Sequence, residues 1–282
     1  MLSRQVAERI AFGLIIAAAA LVILPIFFII GYVVVQGIGA ISWSFLTEMP
    51  RDGMRAGGVL PAIIGTLLLT LGTAIVAVPI GIGGAIYLSE YAGDNATTRA
   101  IRIAIINLAG IPSVVYGLFG LGLFVIFLNL GTSILAGSLT LGIMTLPVII
   151  STAEEALRAV PQSFRLVSTS LGGTRWQTTR RVVLPQALPG IITGIILGVE
   201  RAAGETAPIL FTAAAFFLPR LPQSLFDQTM ALPYHLFVIS TQVPGMPIQI
   251  QYGTVLVLLT FVLGMNLIAT VIRSRARAKR QW

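Results

Sequence analysis

The 282-residue sequence has no cysteine, a single histidine and a single lysine. Without cysteine there is no disulfide framework, no thiolate metal site and no sulfur nucleophile. One histidine, His235, removes most metal-cluster and triad chemistry. The one lysine, Lys279, lies in a basic tail, and no G-x-x-x-x-G-K-[ST] phosphate loop can be written around it. The chain therefore does not hydrolyse ATP by itself. Charge of either sign is also scarce, at 10% of residues, where a soluble domain has about a quarter. With 56% hydrophobic residues and a mean hydropathy of +0.94, a soluble globule with a wet surface is excluded.

The gaps between the few charges set the topology. No charge falls from Ile10 to Thr47, from Ala56 to Ser89, or from Ile103 to Ala153. The last run, 51 residues long, would as one helix be more than twice the ~30 Å of a hydrocarbon core, so it must fold back. The turn residues Asn129-Leu130-Gly131-Thr132-Ser133 mark where. Six spans are predicted, over roughly 10–35, 61–88, 103–128, 134–152, 188–218 and 252–272. Fourteen Lys and Arg flank one side of these spans, and three, Arg51, Arg55 and Arg220, flank the other, with Arg201 inside a span. By the positive-inside rule both termini face the cytoplasm. The expected class is an all-α integral membrane protein in contact with lipid. The same distribution explains the basic excess, so no nucleic acid is expected as a partner. The first span exceeds a signal-peptide h-region and no small-x-small site ends it, so it reads as a retained helix.

Glycine and proline punctuate the second and third spans at Gly65, Gly72, Gly81, Gly83, Gly84, Gly110, Pro112, Gly117, Gly120 and Gly122. Two readings are open, close packing of helices or a moving hinge. The longest cytoplasmic loop, between the fourth and fifth spans, reads as helix, turn, helix. Gly172-Gly173 ends one helix, and Thr174 with Gln177 forms a capping-box pattern opening the next. That second helix carries Arg175, Trp176, Arg180 and Arg181 and is expected to stop before Leu184-Pro185. It suits either a solvated basic face or a contact with another protein.

Gly172, nine residues and then Val182-Val183-Leu184-Pro185 resembles the G-x9-I-x-L-P half of the coupling-loop motif in permease subunits of bacterial ABC importers. Leu166-Val167-Ser168 stands where that motif has Glu-Ala-Ala. Three further strings are similar to phosphate-importer permeases: Leu108 to Gly120, Thr152 to Pro161, and Arg201-Ala202-Ala203-Gly204-Glu205-Thr206-Ala207-Pro208. With Leu232-Pro233-Tyr234-His235-Leu236 they resemble the PstA-type subunit more than its PstC-type partner, over about residues 55 to 275. The resemblance implies the ABC importer permease fold and a heterodimer with a paralogous permease. It also implies two ATPase subunits that use ATP and Mg, an external phosphate-binding protein, and no cofactor or catalytic residue on this chain. Leu171, Gly172, Gly173, Trp176, Leu184 and Pro185 would then form the ATPase-coupling loop. The implied division is a first helix and external loop over 1–60, a permease core over 61–272 with its loop at about 155–187, and a basic tail over 273–282.

The fifth span carries chemistry independently of any resemblance. Glu200, Arg201 and Glu205 are the only charges between Arg181 and Arg220, and a charge in hydrocarbon costs several kcal/mol unless paired or hydrated. Arg201 and Glu205 are i,i+4 and so share a helix face, while Glu200 points about 100° away. The pair is either a packing device or a permeation site in which the guanidinium receives an oxyanion and Glu205 neutralises it when empty. Thr206 is placed in the same pathway, and Ser113 is a further hydroxyl that could donate. His235, with no titratable neighbour in sequence, is expected to be a hydrogen-bonded loop residue. Two rival classes are a proton-coupled secondary transporter, for which no internal repeat is found, and a scaffold, which leaves Arg201 and Glu205 unexplained.

Overall fold

The computed structural model describes residues 4–278. It is helical apart from a short antiparallel ribbon, β1 (Pro50–Arg51) with β2 (Ala56–Gly57). Helix α1 (Arg4–Gly37) leads through the short α2 (Trp43–Thr47) to α3 (Leu60–Ile86), which continues as a π-helical turn, Tyr87–Tyr91. Next come α4 (Ala96–Ala109), α5 (Ser113–Gly120) with a π-helical extension to Phe127, and α6 (Ile134–Arg158). Helices α7 (Gln162–Ser170) and α8 (Arg175–Thr178) form the predicted loop, and a π-helical turn, Thr179–Val183, joins α8 to α9 (Leu184–Gly204). The short α10 (Ala207–Thr212) and α11 (Leu232–Thr241) precede α12 (Ile248–Ala278).

Among the described residues five helices are long and apolar enough to cross a membrane, or six if the bent pair α4–α5 counts as one span. The predicted third span is thus not straight. Its two halves meet at 102°, because Pro112 lacks an N–H and disfavours helical geometry at Ile111. The predicted return at 129–133 is present: Asn129 and Gly131 have φ of 53° and 65°, and the Ser133 hydroxyl caps α6 by accepting from the Ala136 N–H at 3.2 Å.

Helix α6 is the centre of the molecule. Its apolar window is 61% buried, whereas that of α1 is 0% and that of α12 6%. Helices α3 and α9 flank it. On α9 the glycines Gly190, Gly194 and Gly198 recur every fourth residue and let its backbone close on Ala156, Thr152 and Ile149 of α6. A Cβ at Gly190 would stand 2.5 Å from that of Ala156. Packing therefore accounts for this stripe, and for Gly72 against Ser138 and Gly120 against Thr140, while Gly83 and Gly122 face open space. Helix α1 touches the rest mainly through α12, with the Tyr32 and Tyr252 rings edge to face at 5.5 Å.

Three expectations about boundaries are corrected. The fifth span ends at Gly204 and does not run to 218. The helix begun at Arg175 does not stop before Leu184-Pro185, and Arg175–Gly204 is helical throughout. Its π-helical turn immediately before Leu184 shifts the hydrogen-bond register where the missing proline N–H would otherwise leave a gap. Finally, the stretch 219–250, which the six predicted spans leave as a connection between the fifth and sixth, is not simply a loop. Helix α11 lies within it, with Leu232, Val238 and Ile239 fully buried. His235 is on that helix, 3% exposed, and its Nδ1 has no hydrogen-bond partner, so it is not the hydrogen-bonded loop residue expected.

The glycine stripe is directly testable. Gly190→Ala should lower the melting temperature of the detergent-solubilised protein, by an overpacking cost of about 1–3 kcal/mol. Gly83→Ala, with nothing within 4 Å of the added carbon, should be neutral or slightly stabilising.

Candidate functional site

The break after α9 brings together the charges that sequence reasoning singled out. Helix α9 ends at Gly204, and Glu205 adopts an extended backbone (φ −75°, ψ 136°) before Thr206 leads into α10. The pairing of Arg201 with Glu205 survives this break, since the arginine Nε donates to Glu205 Oε1 at 3.4 Å. The helix-face argument for it does not, because Glu205 lies outside the helix. The contact is long and single. Both Nη groups of Arg201 make no hydrogen bond among the described residues, and the side chain is 36% exposed against 18% for Glu205. The Thr206 hydroxyl is also unspent, with no capping bond to α10. Ser113 opens α5 and is half buried, without a hydrogen bond of its own among the described residues.

The glycine stripe sets the phase of α9 here. Ala202, one turn beyond Gly198, is buried against the core, which turns Arg201 to one flank and Glu200 to the other. Glu200 Oε2 accepts from Asn266 Nδ2 of α12 at 3.3 Å, and its Oε1 is buried without a partner. Glu200 and Arg201 therefore serve different neighbours.

A second broken helix meets the first. Helix α5 packs on α10 so closely that a Cβ at Gly117 would lie 3.0 Å from the Ala207 carbonyl oxygen. Irregular backbone at membrane depth is tolerated where protein covers it or water lines it, and here the two interruptions cover one another. Behind Glu205 lies a cleft of about 10 Å³, lined also by Thr66 and Thr70 of α3 and by Ala231 and Pro233. That is room for about one water. The threonines offer little there, since Thr66 and Thr70 donate to Ala62 O and Thr66 O, both at 2.7 Å. Arg201 is not among the residues that line this cleft, and its side chain is the more exposed of the pair.

At the opposite site, α7, the turn and α8 form a rigid hairpin. Gly172 supplies the turn with φ 82°. Thr174 and Gln177 make both halves of the capping box, at 3.2 and 2.9 Å. Ser168 and Thr178 hydroxyls bond across the hairpin at 2.8 Å. Leu171 is 85% exposed and Trp176 56%, and an apolar groove of about 590 Å³ runs beside them, lined by Phe164, Val167, Leu171 and Val182. Arg175, Arg180 and Arg181 are exposed around it. Leu184 and Pro185 stand apart from this turn, and Leu184 packs against the cluster that contains Ala85 and Leu157.

Sequence reasoning missed the ion pairs at this end. Glu154 accepts from Arg102 Nε at 2.8 Å and pairs with Arg158 at 2.9 Å, tying α4 to α6. Arg165 pairs with Glu90 at 2.7 Å. Partners 52 and 75 residues apart leave no local pattern. Two signals were available: Glu154 and Arg158 are spaced i,i+4, and each of these carboxylates borders an apolar span.

The chain thus carries a charged pair at the end of a long apolar helix and an exposed basic hairpin at that helix's other end. Residues 77–278 match the family described as "Binding-protein-dependent transport system inner membrane component", and the chain belongs to that family. It is a multi-pass inner membrane protein, a non-catalytic permease of the ABC importer class. It is 32% identical to the "Probable ABC transporter permease protein YqgI" of Bacillus subtilis (strain 168), covering 86% of each chain. It is also 32% identical to "Phosphate transport system permease protein PstA 1" of Mycobacterium tuberculosis (strain ATCC 25618 / H37Rv), over 99% of this chain and 92% of that one. In fold it matches a chain of a bacterial alginate ABC transporter, with a TM-score of 0.71, 13% identity and 95% of each chain covered. A chain of the MetNI methionine ABC transporter matches with a TM-score of 0.64 and 16% identity, over 77% of this chain and 95% of that one.

The hairpin's rigidity rests on its cap. Thr174→Ala should destabilise the start of α8 by about 1 kcal/mol, read as faster amide hydrogen exchange at Gln177, whose N–H the threonine accepts, with exchange in α6 unchanged.

Proposed function

We propose that this chain is the PstA-like permease subunit of an ATP-driven importer of inorganic phosphate. It forms half of the translocation pathway beside a paralogous permease. An external binding protein delivers the anion, and of two ATPase subunits, which bind the ATP and Mg, one docks on this chain's α7–α8 hairpin and the other on the paralogue. One observation carries the reading: Arg201 sits in an interrupted membrane helix with both Nη groups unspent, held by one 3.4 Å contact to Glu205. A planar guanidinium offers two parallel N–H donors to an oxyanion. Glu205 neutralises it when the site is empty and keeps affinity modest, as an anion in transit requires. The exposure of Arg201 fits a pathway lined by two subunits, and the likeness to PstA proteins over nearly the whole chain supports phosphate as the cargo. Leu171 and Trp176, with the adjoining groove, are the surface an ATPase would cover, with Gly172 and Gly173 shaping the turn.

The test is uptake of labelled phosphate into proteoliposomes holding this chain, its paralogue, the ATPase and the binding protein. Uptake with ATP, none with a non-hydrolysable analogue, and weak competition by sulfate is the expected result. Sulfate or another oxyanion carried in preference to phosphate would keep the architecture and overturn the cargo, and transport without ATP would overturn the importer reading. Arg201→Ala, inserted normally, should reduce uptake about a hundredfold, the loss of charge-assisted hydrogen bonds worth about 1.5–3 kcal/mol each. Arg201→Lys should fall between, because it keeps the charge and loses the fork. Leu171→Asp should instead abolish co-purification of the ATPase while leaving the membrane helices folded.

A further inference from the structure

Helix α7 has no buried residue, yet one of its side chains makes four hydrogen bonds to the elements beneath it. The Arg165 guanidinium donates through Nε and Nη2 to the two oxygens of Glu90, at 3.1 and 2.7 Å. It also donates to the carbonyls of Val160 and Leu157 near the end of α6, at 2.6 and 2.9 Å. The two side chains are only 17% and 9% exposed, which places the pair among the weakly screened, multiply bonded kind and not the weak surface kind. Glu90 belongs to the π-helical turn that ends α3, so the fork joins the docking hairpin to a membrane-crossing helix.

The hairpin therefore has two outputs. Helix α8 runs without interruption into α9 and so to Arg201. Helix α7, locked to α8 by the Ser168–Thr178 bond, joins the end of α3 through Arg165 and through the cluster in which Phe164 packs with Ala85 and Leu157. At its far end α3 carries Thr66 and Thr70, which line the cleft behind Glu205. About 20 helical residues, roughly 30 Å of stiff rod, separate the two ends. The cleft beside Glu205 thus lies between two helices, both driven from the same turn, one through the chain itself and one through an ion pair.

We propose that Arg165 and Glu90 are positioning residues for energy coupling: their fork makes α3 move in step with α9, so that ATPase-driven displacement of the hairpin reshapes both walls beside Glu205 together. This rests on the importer reading above, and goes beyond it by assigning a role to a pair that touches neither substrate nor ATPase. Coupling elements of this kind are energetic links between packed bodies, cut by removing the link while leaving the bodies intact.

The experiment measures ATP hydrolysis and phosphate uptake on the same proteoliposomes for wild type, Glu90→Gln, Arg165→Gln, Arg165→Lys and the exchange Glu90→Arg with Arg165→Glu. The single neutral variants should co-purify with the ATPase and hydrolyse ATP near the wild-type rate, while uptake per ATP falls about tenfold. Arg165→Lys should lie between, and the exchange should recover a large part of the ratio, which a merely structural role in folding would not do. Unchanged uptake per ATP in the neutral variants would overturn the proposal, as would loss of hydrolysis, uptake and ATPase co-purification together. Absence of ATP-driven uptake in wild type would instead overturn the importer reading on which it rests.

Discussion

Hydrocarbon solvates neither a charge nor a free peptide group, and the architecture follows from where the chain meets that constraint and where it circumvents it. Among the described residues five helices satisfy it simply, by length and apolarity. The chain also breaks twice, at Gly110–Pro112 between α4 and α5 and at Gly204–Thr206 just past the end of α9. The structure shelters these breaks by packing the helices beyond them, α5 and α10, against each other. The in-span arginine lies beside that shelter. Interruption, cover and charge thus occur as a unit, and a helix break that could accept water or an anion is tolerated because protein surrounds it.

Helix α9 connects this unit to the cytoplasmic hairpin. Its glycine stripe holds it against α6 at a defined rotation, which decides that Ala202 is inside, Arg201 on one flank and Glu200 on the flank facing α12. Its N-terminal extension through Thr179–Val183 makes it one piece with α8. The opposite wall, α3, is far from the hairpin along the chain and meets it through the ion pair of Arg165 with Glu90.

Much of this was legible locally. The capping box at Thr174 and Gln177, the left-handed turn at Gly172 and the return at 129–133 are short-range patterns and are present as predicted. The crossings were legible because a charge-free run has few other uses in a chain of this composition. Misread features share one cause. The end of the fifth span at Gly204, the passage through Pro185 and the burial of α11 and His235 all depend on what lies across from them, and apolarity along the chain cannot report it. The Arg201–Glu205 pair was foreseen on the assumption of a continuous helix, and it survives in a broken one because the side chains are long enough to meet across the break.

By itself, then, the amino-acid sequence determined the class of molecule, the approximate crossings, the hairpin and the short list of charges that hydrocarbon would not tolerate unaided, because each depends on neighbours within about one or two helical turns or on bulk transfer energy. Only the tertiary structure decided which flank of α9 Arg201 occupies, that its Nη groups remain free, and that Glu90 meets Arg165 across 75 residues. Those outcomes are set by helix rotation and helix-to-helix distance, quantities that arise when separate segments pack and that no single segment contains.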